Sequence, residues 1–438
     1  MSQERERQGA LEAPNNYLRY WLQITAAVLV AAPAPVLRTL SIADLPHPEL
    51  PSGAESAIFG LSILAAATLL VWGTEVAEQL VSAMLALAVL AIIAVLPEYA
   101  VDLYFAWTAP DNPENAQFAL ANMTGGNRLL IGFAWPSVFF LFWLRQRKRD
   151  LAVGKQNALG LVFLSVATIY SFSIPLRQHL TLFDAAVLIG LFLVYLALSS
   201  RAPPFEAELV GPAQAIAALP LGPRWAVVAG IFVYAAGTVF AAAEPFAEGL
   251  VDSGKALGIE EFLLVQWVAP LASEAPEFLV AAMLALRGRA SAGMTLLISS
   301  KVNQWTLLVG SLPVAYSISG ATWAPLDMDA RQAEEVFLTA GQSLFAIAVL
   351  TSLSFSAREA TFIFVMFSVQ LVIPIPQVRL GFGAAYVLLA LLWFLSERPL
   401  IPQLFQTARQ TLAQAPSANP ARSAQPAGRS GRKKPGPT

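Results

Sequence analysis

Apolar runs of membrane-crossing length recur along almost the whole chain, and no other feature restricts its fold as much. A helix needs about 20 apolar residues to cross ~30 Å of hydrocarbon at ~1.5 Å per residue. Such runs fall near 18–36, 56–73, 79–107, 117–144, 157–175 and 182–199, and again near 224–245, 260–286, 291–317, 335–354, 358–375 and 380–397. With 56% hydrophobic residues, 13% charged residues and a mean hydropathy of +0.60, a soluble fold is excluded. The expectation is an all-α polytopic membrane protein of about 12 transmembrane helices, because only helices or closed barrels satisfy their backbone groups within lipid.

Composition also narrows the chemistry. The chain has no Cys and only two His, His47 and His179. Disulfides, thiolate metal sites and Cys nucleophiles are therefore excluded. It contains neither an H-E-x-x-H zinc motif nor a G-x-S-x-G nucleophile elbow. The reading is of a protein that is not an enzyme and has no resident cofactor or nucleic-acid partner.

Two of the apolar runs are broken in the same way. Residues 270–284 read PLASEAPEFLVAAML, placing Glu274, Pro276 and Glu277 well inside a span, and residues 91–107 read AIIAVLPEYAVDLYFAW, placing Pro97, Glu98 and Asp102 in another. An ionisable group in a span costs at least ~2.5 kcal/mol and is tolerated mainly where it faces a partner, a cavity or an ion path. Proline removes one intrahelical hydrogen bond, so the helix beside each Glu is expected to open and offer polar backbone atoms. Asp102 follows Glu98 by one turn and Glu274 precedes Glu277 by three residues, so each shares a helix face with its neighbour. Both are assigned secondary places beside the Glu98 and Glu277 pair, Asp102 with an alternative as a solvated span end.

The two Pro-Glu pairs are 179 positions apart, and the same shift carries the runs starting near 157 and 181 onto runs starting near 336 and 360. Three features related by one shift indicate an internal duplication. Each copy holds five spans. Five is odd, so the second copy enters the membrane from the opposite side and the repeats are inverted. The expected organisation is a cytoplasmic N-terminus with an extra leading helix (1–55), a first repeat (56–199), a linker rich in Pro and Ala (200–223), a second repeat (224–375), an extra trailing helix (376–401) and a disordered basic tail (402–438). A cleaved signal peptide is the rival reading of the first apolar segment, which ends in AAPAP, although Glu4, Glu6 and Glu12 do not suit its positive leader.

Charge tests this threading independently. If the spans alternate, twenty of the 27 Lys and Arg fall on one face, including 145–155 (RQRKRDLAVGK), Arg287, Arg289, Arg358 and the tail. Five fall on the other: Arg38, Arg177, Lys255, Arg331 and Arg379, alongside the acidic stretches 108–116 and 327–335. The positive-inside rule then puts both termini in the cytoplasm of a bacterial-type inner membrane. Only Arg128 and Lys301 remain as intramembrane cations, both in the spans that follow the two Pro-Glu helices.

Those following spans also carry neutral oxygens: Asn122, Thr124 and Asn127 in the first repeat, Ser299, Ser300, Asn303 and Gln304 in the second. Carboxylate, carbonyl and hydroxyl oxygens are the ligands that hard cations such as Na⁺ and Ca²⁺ take. Polar residues in spans can also act simply as glue between helices. The candidate ion-binding set is Glu98 and Glu277 at the centre, with Glu274, Asn122, Asn127, Ser300 and Asn303 around them. Arg128 and Lys301 are expected as charge-compensating residues. Gly125 and Gly126, with Ala94, Ala100, Ala269, Ala272 and Ala281, would let helices cross closely.

These residues resemble the paired α-repeats of the sodium/calcium exchanger, or cation/calcium antiporter, superfamily. In that family each repeat reads approximately G-T-S-x-P-E, then G-N-x-x-G-S-N-x-x-N. The first repeat here keeps Pro97-Glu98 and the run Ala121-Asn122-Met123-Thr124-Gly125-Gly126-Asn127. The second keeps Pro276-Glu277, then Ser299-Ser300-Lys301-Val302-Asn303-Gln304 and Leu307-Leu308-Val309-Gly310. The resemblance covers about residues 56–375. It implies an inverted five-plus-five fold with an extra helix at each end, and a secondary-active antiporter whose two central Glu bind transported Na⁺, Ca²⁺ or H⁺. It departs at Ala94-Val95 and Ala272-Ser273-Glu274, where the family has Gly-Thr-Ser, and at Lys301, where an Asn is expected. A tethered ammonium beside Glu277 would compete with a bound cation or replace one of several. The alternative function is a non-transporting membrane protein whose intramembrane acids are neutralised by Arg128 and Lys301.

Overall fold

A computed structural model describes residues 15–46, 48, 50–77, 80, 96–200, 209, 211–373 and 375–413 of the chain. The leading segment forms α1 (Asn15–Ala31) and α2 (Pro33–Ile42). The first repeat follows with α3 (Ser52–Ala77), α4 (Leu96–Thr108) and α5 (Glu114–Leu129), the last running through a π-helical turn at Leu130–Ala134 into α6 (Trp135–Gln146). Next come β1 (Asp150–Ala152), α7 (Ala158–Ser171), α8 (Ser173–Arg177), β2 (His179–Leu180) and α9 (Leu182–Ser199). After a short α10 (Pro212–Ala217), the second repeat has α11 (Leu221–Leu257), α12 (Glu261–Leu286) and α13 (Ala290–Asn303). A second π-helical turn, Gln304–Leu308, joins α13 to α14 (Val309–Ser319). The chain continues with β3 (Leu326–Asp327), α15 (Ala330–Leu350), β4 (Ser354–Ser356), α16 (Ala357–Val372), α17 (Pro376–Ser396) and α18 (Leu400–Ala413).

Two short ribbons show how the halves are related. β1 pairs antiparallel with β4, and β2 pairs antiparallel with β3. β1 stands to the first repeat as β3 does to the second, and β2 as β4, so exchanging the halves turns one ribbon into the other. β1 and β2 lie at opposite ends of the helical rod Lys155–Arg177, which is long and apolar enough to cross a membrane. The ribbons therefore sit on opposite faces, and the operation that exchanges the repeats also exchanges the faces. This is the inverted repeat expected from the sequence.

The caps follow the same relation. Thr181 with Asp184 opens α9, and Ser356 with Glu359 opens α16, each as a reciprocal capping box that satisfies the first free N–H groups of its helix. The two caps are 175 positions apart and the two π-helical turns 174, against 179 for the Glu pair. Five residues (109–113) separate α4 from α5, whereas three (287–289) separate α12 from α13, and this shorter connection contributes to the drift.

Among the described residues, eight helices are long and apolar enough to cross a membrane, or nine if α12, which bends by 57° between Glu274 and Glu277, is taken as one span. The other three runs read from the sequence correspond to α4, α16 and the α13–α14 rod. Of these, α4 is 13 residues long where described, because residues 81–95 of the span read at 79–107 lie outside the described residues. Of the leader, residues 1–14 lie outside them too. The rest of the leading helix docks on the second repeat: the Tyr234 hydroxyl donates to the Val28 carbonyl at 2.8 Å, and Arg38 pairs with Glu244. Residues 402–413, expected to be disordered, belong to α18. Its Leu404 and Ala408 are buried as the helix packs on α7, and residues 414–438 lie outside the described residues.

The core runs through both repeats, and the helices that carry the polar residues cross closely within it. A side chain at Gly125 would run into the Gln266 carbonyl oxygen of α12, and one at Gly126 into the Glu274 carboxylate. The expected small-residue crossing of α5 and α12 is therefore present, and it brings the two repeats' site helices together. Gly125→Ala is expected to destabilise the protein by about 1–3 kcal/mol through overpacking against rigid backbone. Thermal unfolding in detergent measures the loss.

Candidate ion-binding site

Glu98 immediately follows Pro97 in α4, and the stretch before Leu96 lies outside the described residues. Glu277 follows the bend of α12, at which Pro276 supplies no hydrogen to the ladder. Both Glu are buried, at 4% and 8% exposure. Glu277 and Glu274 lie close enough to Glu98 for their charges to repel it. One oxygen of Glu98 and one of Glu277, Oε2 in each, have no hydrogen-bond partner among the described residues. Burying carboxylate oxygens unpaired is costly, and this makes the pair the candidate position for a cation or a proton.

The neutral groups converge on the same region. The Ser300 hydroxyl adjoins Glu277 and lies 3.5 Å from Gln304 Nε2. The Gln304 amide is within reach of the carboxyls of both Glu98 and Glu274, and its own Oε1 has no partner. Asn303 Oδ1 accepts a hydrogen bond from the Tyr99 hydroxyl at 3.0 Å, tying α13 to α4. Tyr99 was not singled out from the sequence, although its place next to Glu98 pointed to it. Asp102 is buried and accepts from Asn122 Nδ2 at 2.8 Å, which removes the reading of Asp102 as a solvated span end and leaves Asn122 Oδ1 unpartnered. Ser299 is exposed and points away, whereas the Thr124 hydroxyl is spent on the Leu120 carbonyl of its own helix at 2.8 Å.

The two intramembrane cations are both expected from the sequence to compensate the site's acids; Lys301 has Glu274 as an acidic neighbour, whereas Arg128 faces another acid. Arg128 turns away and pairs with Glu335 of α15 at 2.6 Å, with its guanidinium 4.9 Å from the Trp267 ring centre. Glu335 in turn lies 3.7 Å from Arg379 of α17, which also binds Glu334 at 2.8 Å. Arg379 and Glu335 are buried, at 5% and 3% exposure, although the sequence reads them in polar stretches at one membrane face. Each lies a few residues inside its helix on the inward face, and only lateral packing reveals it. Lys301 is fully buried. Its Nζ donates to Asn127 Oδ1 at 2.6 Å and to the Asn127 carbonyl at 3.3 Å, and lies 4.5 Å from the Trp305 ring centre. A desolvated cation–π contact of this kind contributes about 2 kcal/mol. Glu274 is its acidic neighbour, without a direct ion pair among the described residues.

Among the described residues, no three acidic or imidazole groups converge as a metal cluster. A cation held between Glu98 and Glu277 would take its remaining ligands from neutral oxygens, the donor set that suits a hard ion. The Ala94-Val95 departure from the first repeat's motif lies outside the described residues.

Comparison with known proteins places this geometry. The sequence model of a family described as sodium/calcium exchanger protein matches residues 56–201 and 227–396. A crystal structure of an H⁺/Ca²⁺ exchanger, CAX, is 40% identical in sequence and superposes with a TM-score of 0.85, covering 91% of this chain and 99% of that one. Native YfkE is 15% identical with a TM-score of 0.55 over 83% of this chain and 99% of its own. The sodium–calcium exchanger NCX_Mj, soaked with Na⁺ and Sr²⁺, is 17% identical with a TM-score of 0.50 over 73% and 98%. The last two are likenesses of fold alone. No curated protein matches the sequence.

Proposed function

The chain belongs to the sodium/calcium exchanger protein family, and on that premise we propose that it is a secondary-active antiporter that exchanges Ca²⁺ for H⁺. It is an integral membrane protein of a transporter family, with cations and the lipid bilayer as its partners. Glu98 and Glu277 bind the cation, and Ser300, Gln304 and Asn122 supply neutral oxygens. The observation that carries this reading is the pair of repeat-related, buried carboxylates whose outer oxygens are unpartnered. The same two groups bind either a divalent cation or protons, so loading one excludes the other and couples the two fluxes. The choice of Ca²⁺ and H⁺ over Na⁺ draws support from the 40% identity to an H⁺/Ca²⁺ exchanger. The charge asymmetry of the loops supports a bacterial-type inner membrane with cytoplasmic termini.

The alternative, a non-transporting protein with neutralised acids, draws less support, because Arg128 is engaged by Glu335 and Lys301 neighbours Glu274 and not Glu98 or Glu277. Purified protein in liposomes with a Ca²⁺-sensitive dye and an imposed pH gradient tests the proposal. Ca²⁺ is expected to move against the proton flux, and to slow as pH falls on the loading side, because a protonated carboxyl cannot ligate the ion. Absence of any gradient-driven cation movement would overturn it.

A further inference from the structure

Asn127 and Lys301 each stand three residues before a π-helical turn, at Leu130–Ala134 and Gln304–Leu308, which makes them equivalent positions of the two inverted repeats. Equivalent residues meet where a pseudo-two-fold axis passes, and these two touch: Lys301 Nζ reaches Asn127 Oδ1 at 2.6 Å and the Asn127 carbonyl at 3.3 Å. Where the first repeat offers amide and backbone oxygens, the second supplies a single positive charge that takes them. The ammonium is entirely enclosed and has no acidic ion-pair partner among the described residues, so oxygens and a ring face surround it much as they would a small monovalent cation. An amide-lined position beside Glu274 is suited to Na⁺ once the ammonium is gone.

We propose that Lys301 is a resident cation that permanently fills a monovalent-cation position of the site, so that this chain exchanges without Na⁺. The inference rests on the antiporter reading of the Glu98 and Glu277 site and adds to it which cation is shut out, and by what. A fixed charge on a helix cannot leave with the substrate, so the position drops out of the ions counted per cycle.

The test compares binding of radioactive Na⁺ to the purified full-length parent, Lys301→Asn and Lys301→Gln. Both variants are expected to bind about one more Na⁺ per chain than the parent, or to bind Na⁺ about tenfold more tightly or better. Equal counts and affinities in parent and variants would overturn the inference. The parent alone provides a second measurement that needs no variant to fold. Its Ca²⁺ flux in liposomes is expected to be indifferent to a Na⁺ gradient when choline balances ionic strength, and a Na⁺-driven flux would overturn the inference just as directly. The two readings fail separately: a parent that moves no Ca²⁺ under any gradient refutes the antiporter assignment, whereas a parent that moves Ca²⁺ with unchanged Na⁺ binding in the variants refutes only the role of Lys301.

Discussion

Glu277→Gln is expected to reduce Ca²⁺ exchange at least a hundredfold while leaving the protein as stable as the parent or more so, and Glu98→Gln to do the same. Gln matches Glu in volume and can still meet the Ser300 hydroxyl, so packing around α12 is kept. What disappears is one of the two charges facing the cation. At an effective dielectric near 20, unit charges ~4 Å apart interact by ~4 kcal/mol, and a divalent ion by about twice that. A third of that loss already matches the ~2.7 kcal/mol that separates full from hundredfold-reduced binding. Stability moves the other way. Glu98 is buried against the charges of Glu277 and Glu274, so removing one charge relieves repulsion and desolvation together. Flux in liposomes and thermal unfolding in detergent, measured on the same preparations, check both halves. Variants that still exchange Ca²⁺ at the parental rate would remove these residues from the site.

Glu335→Ala is expected to act in the opposite sense, costing on the order of 3–5 kcal/mol of stability. Arg128 is 2% exposed and Glu335 is the acid it touches, so deleting Glu335 strands a guanidinium in the protein interior. Arg379 loses its second acidic neighbour at the same time and keeps Glu334. The double change Arg128→Met with Glu335→Leu is expected to recover most of the loss, because replacing both members of a buried pair by apolar side chains is close to neutral. Thermal unfolding of the single and double variants gives the coupling between them. Additive losses would show that the pair does not act as a unit.

On these expectations the candidate site carboxylates and the Arg128 pair separate function from stability within one bundle, and the sequence revealed them unequally. Pro97-Glu98 and Pro276-Glu277 stand out because a charge beside a helix breaker inside an apolar run has no other ready explanation. The partners of Asn127 and Arg128 could not be read in the same way. These two residues are adjacent in sequence but about 100° apart around α5, so Asn127 meets α13 of the opposite repeat while Arg128 meets α15. Glu335 and Arg379 looked like residues of a polar face, since each lies within two turns of a helix start. Burial by neighbouring helices placed them inside.

The sequence alone determined the membrane setting, most of the spans, the duplication and its inversion. In lipid each span must satisfy its own backbone, so apolar run length is nearly sufficient to define it, and an odd number of spans per copy dictates the reversal. Only the tertiary structure decided which acid each buried cation faces and that α18 folds back on α7. Those outcomes depend on the rotation and crossing of whole helices, and these are settled by side-chain packing between segments far apart in the chain.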